Sequence, residues 1–148
     1  MASCFFIGHR EASDELFPLL RQTVENHITM YGVTAFTVGR YGGFDALAAR
    51  AVISLKQQYP HITLSLLLPY HPAERPIEVP CGFDSTDYPT GQEYVPRRYA
   101  IVRANRYMVD HVDYLIAYAW HPASNAWELV EYARKRERKG ELTITVLK

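Results

Sequence analysis

Hydrophobic positions along the chain alternate between short continuous runs and longer stretches with helical spacing. Continuous runs are typical of strands covered on both faces, and they predict strands over residues 4–7, 34–38, 62–68, 114–119 and 142–147. Apolar residues that recur once per helical turn predict helices over residues 16–31, 44–59, 97–111 and 124–139. This alternation predicts an α/β fold, an open parallel five-stranded sheet with helices on both faces.

Residues 69–96 interrupt the alternation, since six of the nine prolines fall there. Connections longer than about 12–15 residues in compact domains are usually functional or disordered. The segment is a candidate lid or subunit contact, and a plain surface excursion is an equally favoured alternative. The length of 148 residues is that of one compact domain. We therefore predict a single domain over residues 1–148 with a Pro-rich insertion loop at about 69–96.

Charge and composition narrow the range of partners. Sixteen Lys and Arg residues balance sixteen Asp and Glu residues, which argues against a nucleic-acid partner. No basic leader precedes the first apolar run, and no run approaches the roughly 18 residues of a membrane span, so we expect a cytoplasmic protein without a membrane partner. Cys4 and Cys81 are isolated and the six histidines lack metal-ligand spacing, so we expect no metal site and no cofactor.

Turns that follow the predicted strands carry the candidate chemistry. In an open parallel sheet, ligands bind beyond the carboxyl ends of the strands, where the strand order reverses. The turn at residues 39–45 is rich in glycine and precedes a helix, which favours contact between backbone amides and a phosphate; a glycine turn without a ligand is the alternative. Asp45 is either a ribose or base contact or a first-turn acid favoured by the helix dipole. Gly8, His9 and Arg10 follow the first strand, where amides and a cation suit an anion.

Three segments together resemble the SLOG superfamily, and specifically its YpsA-like branch. They are residues 6–10 (FIGHR), 39–49 (GRYGGFDALAA) and 105–110 (NRYMVD). Members of this superfamily have a Rossmann-like fold and include nucleotide sensors, the LOG-type phosphoribohydrolases and the DNA-processing protein DprA. The resemblance implies a nucleotide pocket at the carboxyl edge of the sheet. The residues that it places in this pocket, together with those of the turns, are Gly8, His9, Arg10, Gly39, Arg40, Tyr41, Gly42, Gly43, Phe44, Asp45, Asn105, Arg106, Trp120, Ser124 and Asn125.

The chain departs from the superfamily pattern after the fourth predicted strand. Relatives usually carry a glycine-threonine phosphate loop there, and LOG enzymes carry the motif PGGxGTxxE, whereas residues 121–128 read HPASNAWE. Glu128 falls where the LOG acid would, but side chains in place of glycines restrict the approach of backbone amides to a phosphate. The resemblance therefore implies a protein that senses or sequesters a nucleotide-derived ligand related to ADP-ribose or NAD. Hydrolysis of a nucleotide N-glycosidic bond, with Glu128 as the catalytic acid or base, is the alternative.

Other partners and roles remain open at this point. The resemblance implies a homodimer or a higher homo-oligomer. Arg106 has Asp110 one helical turn later, so an intrahelical pair is an alternative to ligand contact. Ser124 and Asn125 are expected to cap the last helix, which does not exclude a phosphate beside them. A single-stranded DNA partner, in the manner of DprA, is a third reading that the neutral net charge disfavours.

Overall fold

Strands and helices alternate along the computed structural model, which describes residues 2–148. The strands are β1 (Ala2–Gly8), β2 (Val33–Val38), β3 (Thr63–Leu67), β4 (Ser85–Asp87), β5 (Tyr114–Tyr118) and β6 (Thr143–Val146). The helices are α1 (Phe17–Tyr31), α2 (Gly43–Leu55), α3 (Ala100–His111) and α4 (Asn125–Arg138), and short 3₁₀ turns precede α1 and α3. No helix within residues 2–148 combines the length and the apolar character needed to cross a bilayer.

The strands form one parallel sheet in the order β4–β3–β2–β1–β5–β6. The predicted α/β fold with a parallel sheet is confirmed, but the expected number of five strands is wrong. The sixth strand, β4, lies inside the Pro-rich segment and pairs with β3 at the edge of the sheet. Its three residues are all polar, so it has no hydrophobic pattern from which it could be identified.

Consecutive residues of β1 pack against different pairs of helices. Cys4 and Phe6 belong to the core formed with α1 and α2, whereas Phe5 belongs to the core formed with α3 and α4. This division follows from the two-residue period of a strand, which turns successive side chains to opposite faces. Helices therefore cover both faces of the sheet, and the central strands are buried between them.

The Pro-rich segment is tied to the domain at both of its ends. The buried amide of Gln92 donates hydrogen bonds to the carbonyl oxygens of Pro69 at 3.1 Å and Ala100 at 2.6 Å. Lys56, which directly follows α2, donates a hydrogen bond to the Asp84 carboxylate at 2.6 Å. The Gln92 bonds hold the segment next to the end of β3 and the start of α3, whereas the Asp84 bond holds it beside the start of β3.

His27 is buried at the amino end of the sheet, beside the first residue of β5. Its Nδ1 lies 2.7 Å from the carbonyl oxygen of Thr23, which can only accept, so Nδ1 carries the proton. Its Nε2 is buried without a hydrogen-bond partner among residues 2–148. The rings of Tyr31 and Tyr114 pack edge-on at 5.1 and 5.5 Å. Burial lowers the pKa of His27, because a charged imidazolium has no compensating partner there.

We expect His27 to make the stability of the protein depend on pH. Because its pKa is lowered in the folded state, the unfolded chain binds the proton more readily, and stability falls as pH drops below about 6.5. The slope from one such group is at most about 1.4 kcal/mol per pH unit. Urea unfolding of the wild type and His27→Gln between about pH 7.5 and about pH 5.5 measures this contribution. Equal slopes in the two proteins would contradict it.

Candidate functional site

The strand order reverses between β1 and β5. From β1 the chain moves outward through β2 and β3 to β4, and then returns to the other side of β1. Crevices at such points bind ligands in open α/β sheets. A cavity of about 270 Å³ lies at the carboxyl ends of the strands here. One of its walls comes from the turns after β1 and β2, and the other from α3 and the first residues of α4.

Residues from four distant parts of the sequence meet at this cavity. The predicted ligand-binding residues that line it are Gly8, His9, Arg10, Gly39, Tyr41, Asp45, Asn105, Ser124 and Asn125. The structure therefore brings together the turn after β1, the turn after β2, α3 and the start of α4. Their role in binding stays a prediction.

The remaining predicted residues do not line the cavity. Arg106 lies with its guanidinium 4.9 Å from the ring centre of Tyr132 on α4. Glu128 is exposed in the first turn of α4, Arg40 is exposed in the turn after β2, and Trp120 lines a neighbouring depression. The other three pack against the turn that follows β1, as described next; they are Gly42, Gly43 and Phe44.

Backbone amides at the start of α2 are already engaged within the protein. The amide of Gly43 donates to the carbonyl oxygen of Arg10 at 2.7 Å, and the amide of Phe44 donates to that of His9 at 3.3 Å. The sequence predicts that this turn offers its amides to a phosphate. Instead, these two amides hold the turn after β1, so the positive end of α2 is not free to bind an anion through them.

Glycines at this contact permit the close approach of two backbones. A Cβ atom on Gly42 would lie 2.7 Å from the Cα atom of Arg10, and one on Gly43 would lie 2.7 Å from the Arg10 carbonyl oxygen. Similarly, a Cβ atom on Gly8 would lie 2.3 Å from the ring of Phe44. Packing density therefore explains why these positions require glycine.

Asp45 is a largely buried carboxyl group in the cavity wall. Its Oδ2 accepts a hydrogen bond from the backbone amide of Tyr41 at 3.1 Å. Burial raises the pKa of Asp45 to about 6, although the Tyr41 amide opposes this shift by favouring the ionised form. The group is therefore ionised at neutral pH but close to its titration range.

Ser124 connects the last strand-to-helix turn to the cavity. Its hydroxyl accepts from the amide of Trp127 at 3.1 Å and donates to the carbonyl oxygen of His121 at 2.7 Å. This arrangement is an N-cap of α4. Ser124 thus caps the helix and lines the cavity at the same time.

His9 holds the turn after β5 against the turn after β1. Its Nε2 accepts hydrogen bonds from the backbone amides of Trp120 at 3.0 Å and His121 at 3.4 Å, so this nitrogen carries no proton. The His9 ring also lies edge-on to the Trp120 ring, with centres 4.9 Å apart. The pKa of His9 is lowered by burial and, to a smaller extent, by His121. The bond to His9 therefore fixes the backbone of Trp120, while 61% of the residue is exposed to solvent.

A second group of aromatic and basic side chains lies beside the Tyr41 wall of the cavity. We call it the Tyr70 cluster, comprising Tyr41, Tyr70, Arg75 and Arg97. The guanidinium groups of Arg75 and Arg97 lie 4.1 and 5.7 Å from the ring centre of Tyr70, and Arg97 also forms an ion pair with Glu74. The pKa of Tyr41 is raised by burial and by the neighbouring Tyr70.

Sequence reasoning missed most of the Tyr70 cluster. Tyr70 and Arg75 lie in the Pro-rich segment, which has no periodicity, and Arg97 resembles an ordinary solvated residue at a helix start. The signal that could have identified them is the recurrence of Tyr and Arg within a segment that directly follows a buried strand.

Comparisons with known proteins place the fold but not a sequence family. No family model and no curated protein matches the sequence. Among solved structures, DNA processing protein A (DprA) from Streptococcus pneumoniae is similar, with a TM-score of 0.66 and 14% identity over 98% of this chain and 50% of that one. DprA from Helicobacter pylori, described by its unique single-stranded DNA binding mode, has a TM-score of 0.61 and 14% identity over 99% of this chain and 65% of that one.

These similarities confirm a Rossmann-like fold of the kind found in DprA. Membership of the SLOG superfamily stays a prediction. The present chain spans 50% and 65% of the length of the two DprA chains. The expected ADP-ribose- or NAD-related ligand, with nucleotide hydrolysis as the alternative, is wrong, because the similar structures are DNA-processing proteins, one described by its single-stranded DNA binding. The expectation that nucleic acid is an unlikely partner is wrong for the same reason. A homo-oligomer stays a prediction.

We expect Gly43→Ala to destabilise the domain because its methyl group would collide with the Arg10 carbonyl oxygen. Overpacking of this kind costs about 1–3 kcal/mol. Urea unfolding of Gly43→Ala measures the loss, with Ala46→Ser, an exposed change on the same helix, as the control. A Gly43→Ala protein as stable as the control would show that the two turns are not packed this closely.

Proposed function

We propose that this chain binds single-stranded DNA along the carboxyl edge of its sheet. The observation that carries the proposal is the arrangement of exposed basic side chains and of exposed or half-buried aromatic rings around the cavity. Arg10 and the Tyr70 cluster lie at the wall formed by the turns after β1 and β2, and Trp120 lines the neighbouring depression together with Arg10. Proteins that bind single strands combine aromatic rings, on which bases stack, with basic groups that follow the phosphates.

Trp120 has the properties of a stacking platform. Its ring is exposed, whereas its backbone amide is held by His9 at 3.0 Å. A base that stacks on a ring already in place causes little further loss of conformational freedom. Stacking on one aromatic side chain contributes about 1–3 kcal/mol per base.

Basic side chains at this edge are available for phosphates. Arg10, Arg40 and Arg75 are exposed and form no ion pair within residues 2–148. Several acidic residues elsewhere are paired with bases, as in the bonds of Asp84 to Lys56 and of Glu137 to Arg134. A strand bound at this edge interacts mainly with the charges near it, so the three exposed arginines can contact phosphates although the net charge of the chain is zero.

The fold supports the proposal, since DprA from Helicobacter pylori, described by its single-stranded DNA binding, shares it over 99% of this chain. The YpsA-like branch remains a prediction that rests on the three sequence segments. Fluorescence anisotropy of a labelled oligothymidylate of about 15 nucleotides tests the function directly. Binding that weakens as salt rises from about 50 to about 200 mM supports it. Absence of binding at the lower salt concentration would contradict it.

We expect Trp120→Ala to weaken binding of the oligothymidylate by about 5- to 150-fold, the equivalent of about 1–3 kcal/mol of lost stacking. Met30→Ala is the matched control, because Met30 is 69% exposed and lies near the end of α1 that is remote from the cavity. Equal affinities of the two variants for the oligothymidylate would show that Trp120 is not part of the binding surface.

We expect Arg75→Ala to reduce the salt dependence of binding. Loss of one phosphate contact lowers the slope of log affinity against log salt by about 0.7 for a single strand. Arg138→Ala, an exposed change at the far end of α4, should leave the slope unchanged. An unchanged slope in both variants would show that Arg75 does not contact a phosphate.

A further inference from the structure

The chemistry of the cavity wall does not suit a phosphate. Much of the wall on the α3 and α4 side is apolar, and is formed by Phe5, Ile7, Leu67, Ile101, Ala104 and Ala126. Asp45 is the one carboxyl residue among the lining residues, and the one arginine among them, Arg10, is exposed and also lines the neighbouring depression. A carboxylate in a partly buried site repels a second anion, and an apolar wall cannot replace the water around it.

The same wall suits a nucleobase. A base has two apolar faces and a polar edge, whereas the cavity has an apolar wall and a few polar groups. The volume of about 270 Å³ lies near the lower end of the range for small-molecule pockets, about 300–1,000 Å³, so it accommodates a base rather than a length of strand. Bases turned out of a strand are read in such pockets through hydrogen bonds to their Watson–Crick edges.

Asp45 has acceptor capacity left for this edge. An ionised carboxylate accepts about four hydrogen bonds on its two oxygens and donates none. The Tyr41 amide uses one position on Oδ2 and keeps the carboxyl group in place. The remaining positions are available to a pair of adjacent donors.

Guanine alone among the four DNA bases has two adjacent donors on its Watson–Crick edge, the N1–H and the 2-amino group. Adenine and cytosine have one donor beside a ring-nitrogen acceptor, and thymine has one N–H between two carbonyl oxygens, so each also presents an acceptor that a carboxylate repels. We propose that the cavity takes one base from the bound strand and that Asp45 selects guanine there. This inference rests on the proposed binding of single-stranded DNA.

The ionisation of Asp45 is consistent with this role. Burial raises its pKa only to about 6, so the carboxylate form is dominant at about pH 8, where the experiment is done. Two hydrogen bonds from a base to the carboxylate would further favour the ionised form.

The experiment compares oligothymidylates of about 15 nucleotides that differ only at one central position. The central base is thymine, guanine, hypoxanthine, which lacks the 2-amino group, or 2-aminopurine, which lacks the N1–H. We expect the guanine strand to bind about 5- to 150-fold more tightly than the all-thymine strand, the range for one bidentate contact to a base. The hypoxanthine strand should bind with intermediate affinity, because hypoxanthine keeps the N1–H donor. The 2-aminopurine strand should bind no more tightly than the all-thymine strand, because its N1 is an acceptor beside the amino group.

Asp45→Asn provides the conservative variant. Its amide oxygen still accepts from the Tyr41 amide, but its NH₂ group opposes the donors of guanine. We expect the guanine preference to disappear, so that Asp45→Asn binds the guanine strand and the all-thymine strand with equal affinity. Asp14→Asn removes the same charge from an exposed residue outside the cavity and should retain the preference.

The possible outcomes separate this inference from the proposed function. Equal binding of all four strands by the wild type would overturn the selection of guanine and leave single-stranded DNA binding intact. Tighter binding of every strand by Asp45→Asn would also overturn it, since the carboxylate would then act only as a repulsive charge. Failure of the wild type to bind any strand would overturn both.

Discussion

The candidate site depends on the close contact between the turn after β1 and the first turn of α2. Amides at the start of α2 donate to the carbonyl oxygens of His9 and Arg10, and glycines on both sides leave room for the approach. The contact orients His9 toward the turn after β5, where its Nε2 accepts a hydrogen bond from the backbone amide of Trp120. Three separate turns are therefore held in one arrangement, which the cavity and its rim both require.

Amides that hold the turns together are not available to an anion. The glycine-rich turn after β2 has the composition of a phosphate-binding loop, but the amides of Gly43 and Phe44 bond to protein carbonyls and that of Tyr41 bonds to Asp45. A glycine signal in a sequence shows that a backbone approaches something closely. In this protein at least part of that approach is to another segment of the same chain. Negative charge from a ligand is better matched outside the cavity, at the exposed arginines.

Net charge over the whole chain does not decide whether its carboxyl edge can bind a polyanion. The sum over the chain counts acids far from the carboxyl edge, such as Glu137 near the end of α4, against the arginines at that edge. Because screening limits interactions between exposed charges to about 10 Å, only nearby charges affect a ligand at that edge. The functional proposal therefore follows from how the fold distributes its charges.

Local hydrophobic patterns determined most of the fold. Periodicity accounts for five strands, four helices and the division of the β1 side chains between two cores. Buried strands and amphipathic helices each require apolar residues at regular spacings, and these spacings are visible in the sequence. The strand β4 has no such apolar spacing, since its residues are polar and pair with β3 through backbone atoms at the edge of the sheet. The sequence also indicated that the turns after the strands meet, through the general geometry of parallel sheets.

Only the tertiary structure decided what those turns offer to a ligand. Which amides are free, which carboxyl group is buried and which rings are exposed depend on contacts between residues far apart in the chain. The bond from Trp120 to His9 and the packing of Arg75 on Tyr70 are of this kind. Composition and spacing show which residues are present but not which residues lie next to them in space. The spatial neighbours determine which groups are hydrogen-bonded and which are charged at a site.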